Sequence, residues 1–263
     1  MTIKRRIFQA TYPVFSLLMK IPLVRRVLEN SPPFLSPIVT PYYQRWYGQK
    51  VAYESSDYRR YQSNYWNTVG QWRWANSFDY SDVIGTLSRY YSAADRTLVE
   101  LGCGKGSMLA AIHRSYPTLQ LTGVDAAERM CTVARRNAPE ATIINEPYGK
   151  TLRLQPADIV VARSTLTYVD ENDISDVLAW IASVTKRLLL ISDISAINDE
   201  KLIREGLLKI ERLSGSVYKR LHDHSHIRDY SQYPALGGLK FVDTLLENAH
   251  GHGNRQWIFL ARS

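Results

Sequence analysis

The chain has 263 residues, of which 45% are hydrophobic and 22% are charged, a composition typical of a globular protein that buries a full core. Its formal net charge is +8 at pH 7, but residues 1–30 carry six basic residues against one acidic residue, a balance of +5. The remaining +3 argues against a basic nucleic-acid cleft across the rest of the chain. The two cysteines, Cys103 and Cys131, lack metal-type spacing, which predicts a reducing cytoplasm and no bound zinc.

The first 41 residues are predicted to be a basic, apolar N-terminal element followed by a linker. Residues 7–19 form an uncharged run of 13 residues, which is shorter than the roughly 20 needed to span a bilayer. Two interpretations stay open. One is a helix that packs on the main domain or on a second copy in a homodimer. The other is an interfacial helix whose basic flanks meet anionic lipid headgroups. Prolines between residues 22 and 41 predict an irregular linker over 29–41.

The next region, residues 42–92, is rich in aromatic residues. Residues 42–91 hold ten of the 17 tyrosines and four of the six tryptophans. We predict a helical lid over a ligand pocket, with core packing against the sheet as the alternative for most of these rings. Tyr65, Arg73 and Trp74 are the predicted ligand contacts, since an arginine beside aromatic rings can bind a carboxylate while the rings shield a cation. A helix over 81–91 then leads into the third region, residues 93–263.

The third region opens with a strand, a glycine loop and a helix. The strand ends at residue 101, glycines follow at 102, 104 and 106, and a helix begins at about residue 108. Glycines let a ligand lie against bare main chain, and the helix N-terminus presents unpaired N–H groups to it. The third glycine comes one residue early for the nicotinamide fingerprint G-x-G-x-x-G, and Glu100 would repel a pyrophosphate. A second strand ends in Asp125, which is suited to accept hydrogen bonds from ribose hydroxyls. The pattern therefore favours a ligand with a ribose and no phosphates.

Two of these stretches resemble a known family. Residues 100–106, Glu-Leu-Gly-Cys-Gly-Lys-Gly, are similar to the E/D-x-G-x-G-x-G loop of class I S-adenosylmethionine (SAM) dependent methyltransferases, and Asp125 matches their second acidic position. The resemblance runs from about Leu98 to the C-terminus. It implies SAM as cofactor and an α/β fold with a seven-stranded, mostly parallel Rossmann-like sheet, an antiparallel last strand and, here, a helical N-terminal extension. The cofactor contacts expected on this basis are Glu100, Gly102, Cys103, Gly104, Gly106, Asp125, Ala126, Arg163, Tyr65, Arg73 and Trp74.

Apolar runs predict the rest of the sheet. A third strand covers 141–144, a fourth covers 158–162 and a fifth covers 188–193. The continuous apolar run of the fifth strand is typical of a strand that is covered on both faces. Two final strands, 239–242 and 256–261, are predicted to form a hairpin that closes the sheet.

Two segments that follow these strands are predicted to reach the site. After the third strand the family commonly has an aspartate that accepts a hydrogen bond from the adenine amino group, but this chain has Asn145 and Glu146. Either residue is predicted to serve, with an exposed polar turn as the alternative. Residues 163–169 should line the site, because ligands bind beyond the carboxyl ends of the strands. Tyr168 is predicted to shape the acceptor pocket or to pack under the next helix.

A charged helix is predicted from about residue 199, and three histidines follow it at alternate positions, His222, His224 and His226. A metal site is not predicted, because the other close pair, His250 and His252, lies in a distant turn. His224 and His226 are the candidate general bases, since imidazole titrates near neutral pH. The alternative for these residues is a polar turn before the next strand.

Together, the residues and the resemblance predict a methyltransferase that uses SAM and in-line displacement. Residues 163–166 read Arg-Ser-Thr-Leu where exocyclic-amine DNA methyltransferases have (N/D)-P-P-(Y/F), which argues against nucleic acid. The predicted acceptor is a small molecule, a lipid or a glycan, with oxygen preferred over nitrogen or carbon. The basic, apolar N-terminus favours a lipophilic acceptor and a cytoplasmic protein in peripheral contact with a membrane. The alternatives are a nicotinamide-dependent oxidoreductase and a non-catalytic, partner-binding protein of the same fold.

Overall fold

The computed structural model describes residues 3–18, 21, 24, 80–194, 208–213, 216–221, 226–247 and 254–261. The chain divides into two compact units, Met1–Ser77 and Phe78–Ser263. In the first unit the described residues include the helix α1 (Ile3–Leu18), which contains Pro13. Within the part of the chain that is described, every helix is too short or too polar to cross a membrane. The predicted linker and the predicted lid up to residue 79 lie outside the described residues.

The second unit alternates strands and helices. Its described α-helices are α2 (Ser81–Tyr90), α3 (Ser107–Ser115), α4 (Glu128–Asn137) and α5 (Ile174–Val184). The strands of its main sheet are β1 (Thr97–Leu101), β2 (Gln120–Val124), β3 (Thr142–Ile144), β4 (Ala157–Arg163), β5 (Thr185–Ile194), β9 (Leu239–Glu247) and β10 (Asn254–Ala261). A smaller sheet contains β6 (Leu208–Leu213), β7 (Ser216–Leu221) and β8 (His226–Ile227). Prolines at 117 and 139 follow the ends of α3 and α4, where a proline prevents the helix from continuing.

The main sheet has seven strands in the order β3-β2-β1-β4-β5-β10-β9. β3, β2, β1, β4 and β5 pair in parallel, whereas β10 is antiparallel to both of its neighbours, β5 and β9. This is the predicted fold class, and it is confirmed. Leu101 at the end of β1 is level with Val124 in β2 and with Ala162 in β4. The segments that follow these three strands therefore meet at one edge of the sheet, where open α/β sheets bind their ligands.

Alternate residues of the central strands pack into two separate hydrophobic cores, one on each face of the sheet. One core contains Val99, Val160, Leu189 and residues of α5. The other contains Leu98 and residues of α2 and α3. Because both faces are covered, the centres of β4 and β5 are continuous apolar runs, 159–162 and 188–191, as expected for buried parallel strands.

The smaller sheet corrects the prediction of a charged helix from about residue 199. Residues 195–207 lie outside the described residues, but Leu208–Leu213 is a strand that pairs with β7 from Leu208↔Leu221 to Leu213↔Ser216. Only Ser214 and Gly215 separate the two strands in the sequence, and a Ser-Gly pair is a turn signal. Pairing between the two strands outweighed the helical tendency of this charged segment. β7 also pairs with β8, which begins at His226.

Candidate functional site

The glycine loop lies between β1 and α3, at the edge where the strands end. Gly102, Gly104 and Gly106 have φ values of 68°, 52° and 73°, the left-handed region that side chains with a Cβ rarely adopt. The N–H groups of Gly102 and Cys103 both donate to the carbonyl of Val124, over 2.8 and 3.0 Å. These bonds fix the start of the loop to the end of β2.

The three glycines meet different surroundings. An ideal Cβ at Gly102 would lie 2.1 Å from Oγ1 of Thr165, and one at Gly106 would lie 3.1 Å from Cα of Ala134. At Gly104, by contrast, no heavy atom of the described residues lies within 4 Å of such a Cβ. Two glycines are therefore needed for close packing of the protein itself. Gly104 leaves an open floor of bare main chain on which a flat ligand can lie.

Asp125 ties this floor to the end of β2. Its Oδ2 accepts from the N–H of Gly104 over 2.8 Å, and its Oδ1 accepts from the N–H of Ala127 over 2.8 Å. Burial raises the pKa of the Asp125 carboxyl, and these two main-chain donors oppose the shift. Each carboxylate oxygen has a second lone pair, so the side chain can also accept bonds from a pair of hydroxyls.

Glu100 is the second acid of the site, and it is buried, with 5% of its surface exposed. Its Oε2 has no hydrogen-bond partner among the described residues. Burial and repulsion from Asp125 raise the pKa of Glu100 well above its usual value, and attraction from Arg163 opposes this. A buried carboxylate oxygen without a protein donor is costly and calls for a cationic or hydrogen-donating ligand. The unpartnered Oε2 of Glu100 and the bare floor at Gly104 together fit the ammonium group and nucleoside of SAM.

We predict that Glu100→Gln stabilises the protein without ligand at alkaline pH. Because the folded-state pKa of Glu100 lies above the unfolded-state value, folding of the wild type requires proton uptake or burial of a charge at neutral and alkaline pH. That cost is absent below the unfolded-state pKa. The difference in free energy of unfolding between variant and wild type should therefore be smallest at about pH 4 and should grow towards about pH 8. Urea unfolding across this range measures the difference, with the exposed Glu140→Gln as the control. A difference between variant and wild type that does not change with pH would contradict the assignment.

Arg163, a predicted cofactor contact, faces α2 as well as Glu100. Its guanidinium carbon lies 5.3 Å from the ring centroid of Tyr80, and its Nη2 lies 3.5 Å from Oδ2 of Asp82. Both members of the Arg163–Asp82 pair are almost buried, with 13% and 12% of their side chains exposed. The sequence analysis did not predict Tyr80 and Asp82 as site residues. The available signal was that they begin the helix that precedes β1.

The segment after β4 forms the neighbouring wall of the site. Ser164 has a φ of 50°, an unusual value for a residue with a Cβ and a sign of local strain. The side chain of Thr165 shares a 2.9 Å hydrogen bond with the hydroxyl of Tyr148, a residue that sequence reasoning missed. Tyr168 lies in the short 3-10 helix Leu166–Tyr168 and is half-buried. Its predicted contact with the acceptor stays a prediction.

Arg228 binds the main chain of the segment after β4. It is 6% exposed and donates to the carbonyls of Leu166 and Val169, over 2.8 and 2.6 Å. It also pairs with Oε2 of Glu171 at 3.0 Å. Next along the chain, the hydroxyl of Tyr230 donates to Oδ2 of Asp193 at the end of β5, over 2.9 Å. None of these contacts is marked by a sequence motif.

The remaining predicted residues divide by position. The side-chain amide of Asn145 donates to the carbonyl of Asp125 over 3.0 Å, so Asn145 lies at the site. Asn145 and its neighbour Glu146 are both exposed. Ala126 is exposed next to Asp125. The side chain of Cys103 is buried in the second hydrophobic core, and this burial raises the pKa of its thiol.

Four predicted site residues, Tyr65, Arg73, Trp74 and His224, lie outside the described residues, and only the main chain of His226 is described. The lid contacts and the histidine base therefore stay predictions. Within the described part of the chain, no three histidine, cysteine or acidic side chains are grouped closely enough to hold a metal ion.

Comparisons with known proteins agree with this geometry. The family model described as a methyltransferase domain matches residues 98–187. Malonyl-[acyl-carrier protein] O-methyltransferase from Bacillus cytotoxicus is 30% identical over 106 residues, which are 40% of this chain and 37% of that protein. Trans-aconitate 2-methyltransferase from Yersinia pestis is 29% identical over 73 residues, 28% of each chain. The chain thus spans about a third of the length of the curated relatives it matches.

Solved structures are similar in fold. Magnesium protoporphyrin IX methyltransferase from Synechocystis, solved with bound SAH, has a TM-score of 0.61 at 16% identity, covering 78% of this chain and 100% of that one. The 1,6-didemethyltoxoflavin-N1-methyltransferase of Burkholderia thailandensis, solved with its namesake ligand and S-adenosylhomocysteine, has a TM-score of 0.58 at 12% identity, covering 79% and 89%.

The strand order, the single reversed strand and the acid-flanked glycine loop define a Rossmann-like nucleoside-binding domain. Within it, residues 98–187 match a methyltransferase domain, and the resemblance to class I SAM-dependent methyltransferases stated from the glycine loop is confirmed.

Proposed function

We propose that the protein transfers a methyl group from SAM to oxygen of a small-molecule, lipid or glycan acceptor. One observation carries the proposal: a buried, unpartnered carboxylate oxygen of Glu100 lies beside a bare main-chain floor that Asp125 fixes in place. This pairing suits a cationic nucleoside without phosphates. A pyrophosphate at the same place would meet two carboxylates, which opposes the nicotinamide alternative.

Each site residue has a role in this proposal. Glu100 accepts from the methionine ammonium, the glycine loop carries the nucleoside, and Asp125 accepts from the ribose hydroxyls. Asn145 uses its amide N–H on the carbonyl of Asp125, which leaves its Oδ1 to accept from the adenine amino group. Asn145 is therefore preferred over Glu146, because its bond to Asp125 fixes it at the site. Arg163 pairs with Asp82, and its charge favours the charged form of Glu100.

SAM supplies a methyl group on a cationic sulfur whose leaving thioether is neutral. The residues of this chain have to align the acceptor with that methyl group and to exclude water. The wall formed by Tyr148, Thr165 and Tyr168 is the proposed acceptor side. Tyr65, Arg73 and Trp74 are proposed to cover the pocket, and His224 or His226 to take the proton of an acceptor hydroxyl.

The name of the Bacillus cytotoxicus relative supports oxygen as the acceptor atom, and the names of both curated relatives specify non-nucleic acceptors. A lipophilic acceptor is preferred among the three classes because the N-terminal element is basic and apolar. The proposal includes peripheral contact of that element with a membrane, while its packing against a second copy of the chain is the competing prediction.

Calorimetry and label transfer test the proposal. SAM and S-adenosylhomocysteine should bind at a single site, and NADH should not; NADH binding alone would overturn the cofactor assignment. Extract supplied with radiolabelled SAM and the protein should then be fractionated into lipid, sugar, small-molecule and polypeptide pools. Label in the polypeptide pool alone would overturn the acceptor class, and no transfer despite SAM binding would favour a non-catalytic protein.

We predict that Asp125→Ala weakens SAM binding by about 1–3 kcal/mol, because buried ribose hydroxyls would lose their acceptors. Asp158→Ala is the matched control: Asp158 also accepts from two main-chain N–H groups, those of Arg96 and Thr97, but it lies at the amino end of β4. Both variants should lose stability, and only Asp125→Ala should lose affinity in calorimetry. Equal affinity losses would mean that the effect is general destabilisation.

A further inference from the structure

Helix α1 exposes one apolar face. Val14 and Leu17 have 60% and 63% of their surfaces exposed, and Leu18 has 38%. These positions are three and four residues apart, so they lie on the same side of the helix. Tyr12, about 200° away from Val14 around the helix axis, is buried. The helix therefore has a protein-facing side and an opposite side that is apolar and open.

A further exposed apolar side chain lies just beyond the end of the helix. The N–H of Ile21 donates to the carbonyl of Leu18 over 3.0 Å, and 47% of the surface of Ile21 is exposed. Four of the six large hydrophobic side chains that are exposed in the described residues lie in this short stretch, and the other two are Phe241 and Val242 on β9. Such concentration on one helix marks an interaction surface, since single exposed apolar residues are ordinary but clusters are not.

The charge around this face indicates its partner. Residues 1–30 carry six basic residues and one acidic residue, and none of them interrupts residues 7–19. A second protein surface of the same chain would bring two such basic segments together, which like-charge repulsion opposes. Anionic lipid headgroups attract each basic residue near the membrane surface, by about 1 kcal/mol apiece.

We infer that Val14, Leu17, Leu18 and Ile21 form a docking surface for an anionic bilayer, with α1 lying in the plane of the interface. The 16 residues of α1 extend about 24 Å, less than the hydrocarbon thickness of a bilayer, and the exposed large hydrophobic side chains among its described residues lie on one face. A helix that is too short to span the bilayer and has one exposed apolar face can insert that face as far as the boundary between headgroups and acyl chains. The inference deepens the membrane contact in the proposed function, but vesicle binding is measured without methyl transfer, so either can fail alone.

Co-sedimentation of the full chain tests the surface. The protein should bind vesicles of phosphatidylcholine with phosphatidylglycerol more strongly than vesicles of phosphatidylcholine alone, and high salt should reduce the difference. The double variant V14S/L17S should bind the anionic vesicles about tenfold more weakly. Val242→Ser removes an exposed valine, 41% exposed, from β9 and should bind like the wild type. Unchanged binding of V14S/L17S, or an equal loss in Val242→Ser, would overturn the inference.

A labelled cysteine reports insertion directly. The two native cysteines are buried, so an environment-sensitive dye should attach to Leu17→Cys and, in a control protein, to Val242→Cys. Anionic vesicles should shift the emission of the dye at position 17 to shorter wavelength and leave that at position 242 unchanged. Light scattering and thermal unfolding of V14S/L17S test whether protein covers this face instead. If the variant converts a dimer to a monomer, or if its melting temperature falls clearly, the face is a protein contact and the inference is overturned.

Discussion

Replacing Gly102 with alanine should lower the free energy of unfolding by about 3 kcal/mol and abolish measurable SAM binding. A residue with a Cβ at a φ of 68° costs about 1–2 kcal/mol. The new methyl group would also lie 2.1 Å from Oγ1 and 2.5 Å from Cβ of Thr165, so that side chain must move. Overpacking of this kind adds about 1–3 kcal/mol. Because Thr165 is bonded to Tyr148, its displacement also disturbs the wall beside the site. Urea unfolding and calorimetry measure the two effects.

Gly104→Ala is the matched control for that variant. Its φ of 52° carries a similar backbone strain, but its Cβ would point into open space among the described residues. The expected loss of stability is only about 1 kcal/mol, whereas SAM affinity should fall because the methyl group occupies the ligand floor. Equal stability losses in the two variants would contradict the packing role of Gly102. Unchanged SAM affinity in Gly104→Ala would show that the ligand lies elsewhere.

The part of the site that could be predicted from sequence is the part built from neighbouring residues. The glycine loop follows an apolar strand and precedes a helix, and Asp125 ends the next strand, so each could be recognised from residues within a few positions. The φ values and the Asp125–Gly104 bond agree with that prediction. The strand order came from the family resemblance, because apolar runs alone do not determine which strands are adjacent.

The parts that could not be predicted depend on contacts between distant residues. Thr165 fills the space above Gly102, and Arg228 binds the carbonyl of Leu166 across 62 positions in the chain. No local pattern distinguishes a buried arginine of this kind from an exposed one. The error at 208–213 has a related cause: mixed charged and apolar residues suit a helix locally, and only pairing with Ser216–Leu221 makes the segment a strand.

Arg163 was predictable in its position along the chain but not in its contacts with distant residues. The sequence predicted that it follows the fourth strand, and Arg163 is the last residue of β4, at the edge where the strands end. Its contact with the cofactor stays a prediction. Its partners on α2, Tyr80 and Asp82, depend on how that helix packs across the second face of the sheet. Arg163 therefore acts partly as a structural link between the helix and β4, which the prediction of a simple cofactor contact omitted.

Replacing Arg228 with methionine should lower the free energy of unfolding by about 3–5 kcal/mol, the usual cost of removing one partner from a buried ionic network. The variant leaves the carbonyls of Leu166 and Val169 without the donors that Arg228 supplies, and Glu171 without its cation. Because these carbonyls belong to the wall after β4, the variant should also impair methyl transfer at saturating SAM. SAM affinity itself should change little, since the glycine loop and Asp125 make no contact with Arg228 in the described bonds.

Two further variants separate the contribution of the ion pair with Glu171 from that of the main-chain bonds of Arg228. Glu171→Gln retains a hydrogen-bond acceptor at a side chain that is 29% exposed, so it should cost less than about 1 kcal/mol. Arg228→Lys retains the charge, but a lysine ammonium cannot reproduce the planar guanidinium that donates to three acceptors. Its free energy of unfolding should therefore lie between those of the wild type and Arg228→Met. Urea unfolding and label transfer at saturating SAM should give the same order of variants. A loss below about 1 kcal/mol in Arg228→Met, or an equal effect of Glu171→Gln, would mean that the main-chain bonds of Arg228 do not hold this wall.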